Sequence, residues 1–491
     1  MSKRPKQKRT FKLTDEMESF VSAYVKAIED RTAAVFAGAG LSIPAGFVDW
    51  RGLLKNIAKD IGLNIDKEND LIAVAQYHVN EKGGRHRINQ SLVNEFSAEA
   101  KVTENHKILS RLPIQTYWTT NYDKLIENTL SDAGKTPDVK LTTKNLAINV
   151  PQRDAIVYKM HGDVSMPDEA VVTKDDYEDY STQKQLFSTA LQGDLLDKTF
   201  LFLGFSFSDP NIGYILSRIR ILLGKDQREH FCLMRRVQKS DYTSSKEFTI
   251  AETRQTLQIR DLRRFAINVI LVDDYKDITH LLRLIEARVK RKRIFIGGSA
   301  AVYDPFKETE ARQFIHDLSK TLVKSGYEVV TGFGLGVGDA VINGSLDQVY
   351  STKHRSLDRF LVMRPFPQFA TGNKKRAELW TEYRKSMMDE SGIAIFLFGN
   401  KKTDAGVAPA NGLQEEFDIA LEKCIPVIPV GFTGSSSQDL WKQLTKNKTK
   451  YPWKTKAFNN GIKQLEKAPR KLNSGIPKIM KIVRLLQNEG F

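Results

Sequence analysis

The chain has 491 residues, 41% of them hydrophobic, which is enough for two or three domains with sizeable cores. Its longest apolar run, TFLFLGFSF at 199–207, is shorter than the roughly 18 residues of a membrane span, and the basic start MSKRPKQKRTFK lacks the apolar segment of a secretory signal. A net charge of +16 admits nucleic acid or anionic small molecules as partners. The two cysteines, Cys232 and Cys424, cannot form a four-thiolate zinc site or a disulfide framework, so no metal is expected and a reducing cytoplasm is the simplest setting.

The basic residues at the N-terminus (Lys3, Arg4, Lys6, Lys8, Arg9) read as a tail over 1–14, and RVKRKR at 288–293 as a hinge. Neither has the aromatic interleaving or spacing of a nucleic-acid site, so nucleic acid is not the expected partner. From residue 15 on, short β-rich runs alternate with helical patterns, which predicts α/β architecture with parallel sheets covered on both faces. Strands are predicted at 33–38, 116–121, 156–162, 200–206, 231–235 and 267–272. The stretch 51–112 is helical in character and longer than a crossover needs, so it is expected to lie over the mouth of a site. Residues 236–264 are charged and helix-like. A second set of strands, at 293–299, 327–334, 359–366, 392–400 and 425–431, predicts a second Rossmann-like domain, with 432–460 polar and loop-rich. The predicted division is therefore 1–14, 15–288 and 289–491.

In doubly wound sheets, ligands bind at the carboxyl ends of the strands, and each such end in the first half carries a polar feature. GAGLS (38–42) is a glycine turn entering a helix, whose N–H groups can cradle a pyrophosphate. Asn121 and Asp123 follow the second strand in TTNYDKL, His161 follows the third in KMHGD, and GFSFSDPNI brings Gly204, Ser206 and Asp209 after the fourth. Singly, each has a plain structural reading: tight-turn glycines, a turn asparagine, a packed histidine, an aspartate N-cap before proline. Four in succession at strand ends point to one site.

Their spelling resembles the sirtuins. GAGLSIPAGFVDWR matches G-A-G-x-S-x-x-x-G-x-x-D-x-R at Gly38, Ala39, Gly40, Ser42, Gly46, Asp49 and Arg51; TTNYD is similar to T-Q-N-x-D and MHGD to L-H-G. The resemblance covers about 15–285 and implies that NAD+ binds as substrate on GAGLS with its nicotinamide ribose near Asn121 and His161, the catalytic candidates, and with Asp49 and Asp123 in support. The four-cysteine zinc module of deacetylating sirtuins is absent after His161. That departure implies NAD+ hydrolysis, as in divergent sirtuin-like domains of bacterial defence proteins, over deacylation or ADP-ribosyl transfer.

The second half offers RIFIGGS and TGFGLGVGDAVINGS, which resemble the SLOG superfamily. The catalytic P-G-G-x-G-T-x-x-E of its enzymes is reduced to GVAPANGLQEEF, keeping Glu416, which implies ligand binding in place of catalysis. Gly298, Ser299, Gly334 and Gly336 would line that pocket, and Glu416 would accept from ribose hydroxyls. Arg364 is the expected phosphate clamp. Arg384 is either a second clamp or an exposed helix charge. Together the halves resemble the sirtuin-like/SLOG effectors of the Thoeris anti-phage system. The resemblance implies a cyclic ADP-ribose isomer as activator, made by a TIR-domain partner, and a homo-oligomer, either a tetramer or a filament.

Overall fold

The computed structural model describes residues 11–488 apart from 99, 208, 225, 353–356, 370–374 and 448–450. Most of the expected basic tail, residues 1–10, lies outside the described residues. Thr14 caps the first helix, Asp15–Glu29, by accepting from Met17 N–H. The chain divides into two compact units, the first ending at Glu286 and the second beginning at Ala287.

The first unit is built on seven strands: β1 (Ala33–Ala37), β2 (Thr116–Thr119), β3 (Pro137–Lys140), β4 (Ala155–Lys159), β5 (Thr199–Leu203), β6 (His230–Arg235) and β7 (Ile267–Val272). They run in the order β3-β4-β2-β1-β5-β6-β7, every pairing parallel. All five residues of β1 are buried, as expected for a central strand covered on both faces. The strand order reverses at β1, with β2 on one side and β5 on the other, so the turns after β1, β2, β4 and β5 open onto one crevice.

The helical stretch between β1 and β2 consists of Trp50–Asp60, Leu71–Lys82, His86–Phe96 and Glu104–Arg111. Leu53, Leu54, Ile57, Val74, Ile88 and Leu92 form its core and pack against Tyr122 and Leu125 beside the site. In the charged 236–264 segment, Ser244 and Glu247 form a reciprocal cap that starts the helix Ser245–Leu262.

Strand β3 had no counterpart in the sequence reading. Its inward positions are Asp138 and Lys140, which are buried as an ion pair (Nζ–Oδ2 2.9 Å) with Arg153 also on Asp138. Charged residues neutralising one another on the inner face leave no apolar alternation to read.

The second unit has a five-stranded parallel sheet of β8 (Arg293–Ser299), β9 (Glu328–Thr331), β10 (Leu361–Met363), β11 (Ile393–Phe398) and β14 (Val427–Pro429) in the order β10-β9-β8-β11-β14. A hairpin of β12 (Asn400–Thr403) and β13 (Gly406–Pro409) stands apart from it. The expectation that 432–460 is loop-rich is corrected. Two helices, Ser435–Lys446 and Lys456–Lys463, occupy much of it. Ser437, Leu440, Trp441 and Leu444 recur at helical spacing and are buried, while Thr455 caps the second helix. The serine run at 435–437 disguised that stripe. No helix among the described residues is long and apolar enough to cross a membrane.

Candidate functional sites

The GAGLS turn and the GFSFSDPN turn meet backbone to backbone. Gly38 N–H donates to the Leu203 carbonyl and Gly40 N–H to the Gly204 carbonyl, both at 2.9 Å. A Cβ on Gly38 would lie 2.5 Å from the Gly204 oxygen, and one on Gly40 2.8 Å from the Gly204 Cα. Gly204 itself has φ +62°, and a Cβ there would reach within 2.3 Å of the Leu41 nitrogen. These glycines let β1 and β5 exit side by side. The amides of Gly38 and Gly40 are thus engaged within the protein, and a pyrophosphate on GAGLS would have to be met by other N–H groups of the turn. Ala39, at the first position of the helix Ala39–Ser42, remains half-buried beside a cavity.

That cavity, about 40 Å³, is lined by Ala39, Ser42, Asp49, Trp50, Asn121 and Asp123 among others. Five expected residues from two separate turns therefore converge. Asn121 is 8% exposed, and its Nδ2 donates to the Gly38 carbonyl (3.1 Å) and Ser42 Oγ (3.0 Å). Asp123 Oδ1 accepts from Leu125 N–H at 2.9 Å, while Oδ2 is buried without a hydrogen-bond partner among the described residues. Asp49 Oδ1 caps the helix Trp50–Asp60 through Gly52 N–H. Arg51 holds the following loop by the carbonyls of Ile65 and Glu68. Gly46, φ +111°, ends the Ile43–Ala45 turn in a left-handed conformation ahead of Asp49.

His161 lies at the end of β4, 2% exposed, with Tyr177 and Tyr180 edge-on to its ring at 5.5 and 6.3 Å. Its Nε2 is 3.0 Å from Asp209 Oδ2. Asp209 Oδ1 caps the helix Pro210–Leu223 through the N–H groups of Asn211 and Ile212. Burial pushes the Asp209 carboxyl up, but His161 and the two backbone N–H groups outweigh that and hold it below the usual carboxylate range. Ser206 is exposed, with its carbonyl accepting from Gln258.

Three residues beneath these loops went unread in the sequence. Lys159 is fully buried, with Nζ 2.9 Å from both Glu127 Oε1 and Asp163 Oδ2 and bonded to the Asp123 carbonyl. The signal was parity: Ala155, Val157 and Lys159 all face inward along β4.

In the second unit, the turns after β8 and β9 also touch. A Cβ on Gly298 would lie 2.5 Å from the Leu397 carbonyl oxygen, one on Gly334 1.9 Å from the Gly298 oxygen, and one on Gly336 (φ +71°) 2.2 Å from that of Ala300. Tyr303 Oη donates to the Gly336 carbonyl at 2.6 Å, and Ser299 Oγ donates to that of Asn400 at 3.0 Å. Glu416, on the helix Asn411–Glu422, places Oε2 against Gly297.

Arg384 is buried and not an exposed helix charge. It lies 2.6 Å from Glu415 and 3.7 Å from Glu416, over the rings of Phe366 (4.9 Å) and Trp380 (5.8 Å). Arg364, by contrast, is 41% exposed and pairs with Glu390 at 2.7 Å. Arg384 is thus the enclosed one of the two arginines, with Glu415 and the two aromatics as partners that the sequence reading did not find.

Burial pushes the Glu416 carboxyl up to about 7, with Arg384 opposing and Glu415 adding to the rise. A carboxyl raised in the fold contributes stability at acidic pH that is lost as pH climbs through that value. Glu416→Gln is therefore expected to gain thermal stability relative to wild type between pH 5 and 8, in melts across that range.

Two doubly wound units, the first with asparagine and histidine at its strand ends and the second with a buried Arg–Glu pair over a glycine turn, define a sirtuin-like domain joined to a SLOG domain. A SIR2-like domain model matches residues 115–256, and that of the Sir2- and TIR-associating SLOG family matches 277–486. The chain is 46% identical to a protein named NAD(+) hydrolase ThsA from Cytobacillus dafuensis, over 97% of this chain and 98% of the relative. A protein of the same name from Bacillus cereus (strain MSX-D12) is 45% identical over 97% of this chain and 100% of its own. Defense-associated sirtuin 2 of Bacillus subtilis is 26% identical over 38% of this chain and 19% of its own. The chain belongs to the ThsA family of NAD(+) hydrolases.

Proposed function

We propose that the first unit hydrolyses NAD+ to ADP-ribose and nicotinamide at Asn121 and His161, and that a cyclic ADP-ribose-type signal bound at Arg384 and Glu416 switches it on. The observation that carries the first part is the convergence of Asn121, Ser42, Asp49 and Asp123 on one cavity, at the crevice where His161 also leaves its strand. The bond that breaks joins nicotinamide nitrogen to ribose C1′. Nicotinamide leaves as a neutral molecule with the bonding pair, and water adds to the oxocarbenium-like C1′. Such a reaction needs orientation and charge stabilisation more than a nucleophile. Asn121 holds the ribose or the attacking water, and His161 takes the proton that the water loses.

The cavity, at about 40 Å³, is smaller than a nicotinamide riboside, and we infer that the loops around it rearrange when NAD+ binds. A second ligand controlling that rearrangement keeps a toxic activity silent until needed. We place the signal's source in a TIR-domain partner protein and the outcome in NAD+ depletion during anti-phage defence, carried out by a homo-oligomer. The test is nicotinamide release by pure protein with and without cyclic ADP-ribose isomers. Wild type should respond to one isomer. Arg384→Ala should bind that isomer on the order of 10²-fold more weakly, the worth of a lost buried charged contact, and Arg364→Ala should retain more of the response. Release unaffected by any added nucleotide or by Arg384→Ala sinks the gating.

A further inference from the structure

We propose that Asp209 is the positioning residue that orients His161, fixing the tautomer that leaves Nδ1 as its basic nitrogen. The proposal rests on the reading of His161 as the proton acceptor. It starts from a division of labour within one carboxylate. Oδ1 is occupied by the N–H groups of Asn211 (2.9 Å) and Ile212 (3.1 Å) at the helix start, and Oδ2 lies 3.0 Å from His161 Nε2, with the Tyr177 hydroxyl also bonded to the carboxylate. A carboxylate only accepts hydrogen bonds, so the nitrogen facing it carries the hydrogen and the other keeps its lone pair. Nδ1 is buried, with no hydrogen-bond partner among the described residues.

The ring is well confined. Tyr177 and Tyr180 stand edge-on at 79° and 77° to its plane, and Val171 N–H donates to the His161 carbonyl at 3.0 Å. The titratable groups around it are Asp209 and these two phenols. Burial drives both phenols upward, so they are neutral, and Asp209 is the one charge facing the imidazole among the described groups. The Nε2–Oδ2 contact lies off the axis of an aligned hydrogen bond. Catalytic hydrogen bonds of this kind commonly tighten only when substrate is bound.

Capping alone does not need an aspartate, because asparagine and serine cap helices about equally well. Holding an Nε2–H does need an acceptor, and an asparagine amide can turn its NH2 to the ring and reverse the tautomer. Asp209→Asn and Asp209→Ser therefore separate the two roles. In the full-length protein, under conditions where wild type turns over, both variants should melt within about 2 °C of wild type, as preserved caps predict. Their kcat should fall on the order of 10²-fold with KM within about threefold, as for an impaired general base. The ring-nitrogen NMR shifts of His161, identified by their loss in His161→Ala, should report hydrogen on Nε2 in wild type and a different tautomer balance in Asp209→Asn, a readout independent of turnover.

If His161→Ala is inactive while both Asp209 variants keep wild-type kcat, or lose only KM, Asp209 is a cap or a substrate contact and the proposal is overturned. An unchanged tautomer in Asp209→Asn overturns it equally. A fully active His161→Ala removes instead the reading on which it rests.

Discussion

Lys159→Met is expected to destabilise the first unit by about 3–5 kcal/mol, the cost of removing one partner from a buried ion cluster. Lys159 is fully buried, and it is the cation on which Glu127, Asp163 and the Asp123 carbonyl converge. Burial drives the Glu127 carboxyl up. Burial also acts to raise Asp163, but Lys159 and Ser165 outweigh it and hold that carboxyl low. Lys159 therefore sits between two carboxyl groups that their surroundings push in opposite directions.

Methionine matches the lysine stem but leaves the Asp163 anion buried without its cation. At roughly 2–4 °C per kcal/mol for a domain of this size, melting should drop by about 6–20 °C. A companion change, Asp163→Asn in the Lys159→Met background, removes the stranded charge and should recover part of the loss. Melts of the single and double variants by circular dichroism check this, and a Lys159→Met protein that melts like wild type would refute it. The consequence reaches the chemistry, because Asp123 is two residues past Asn121 and Asp163 two past His161. One ammonium thus ties both loops to the floor of the sheet.

The residues that sequence reading found and those it missed differ in a physical way. Strands β1, β5, β7 and β11 are apolar runs, and their order along the chain was enough to foresee two parallel sheets. The site turns were legible because glycine, asparagine and histidine stand where a strand ends. What stayed hidden was held by charge inside the protein. Strand β3 hides behind Asp138 and Lys140, and the Lys159 cluster reads as three unrelated surface charges until the fold brings them together.

Arg384 is the same case. In EYRKSM it sits on a helix rich in charge, and only the rings of Phe366 and Trp380, with Glu415 from the next helix, show it to be enclosed. The glycines of GAGLS were found for one reason and are explained by another. They resembled a phosphate cradle, yet the first demand on Gly38 and Gly40 is the approach of Gly204, to whose turn both amides are bonded.

Asn121→Ala is expected to lower kcat for NAD+ hydrolysis on the order of 10²-fold or more, while costing only about 1–2 kcal/mol of stability through its two lost hydrogen bonds, since the Gly38 carbonyl still accepts from Leu41 N–H at 3.0 Å. The geometry fixes which way the amide points. A carbonyl accepts only, so the group facing Gly38 at 3.1 Å is the NH2, and Oδ1 is the end left to a ligand. Asn121 thus offers an acceptor whose position is set by β1 and by Ser42 together.

Asn121→Asp, nearly the same shape, sets an oxygen against the Gly38 oxygen and must turn away. It should therefore be no more active than alanine despite keeping an acceptor. Ser42→Ala removes one of the two anchors and should keep turnover within about tenfold of wild type, the price of a single neutral hydrogen bond. Nicotinamide release at saturating NAD+ ranks the three. Wild-type turnover in Asn121→Asp would show that any acceptor at this place suffices, and that the anchoring through Gly38 does no catalytic service. Wild-type turnover in Asn121→Ala would remove the residue from the reaction altogether.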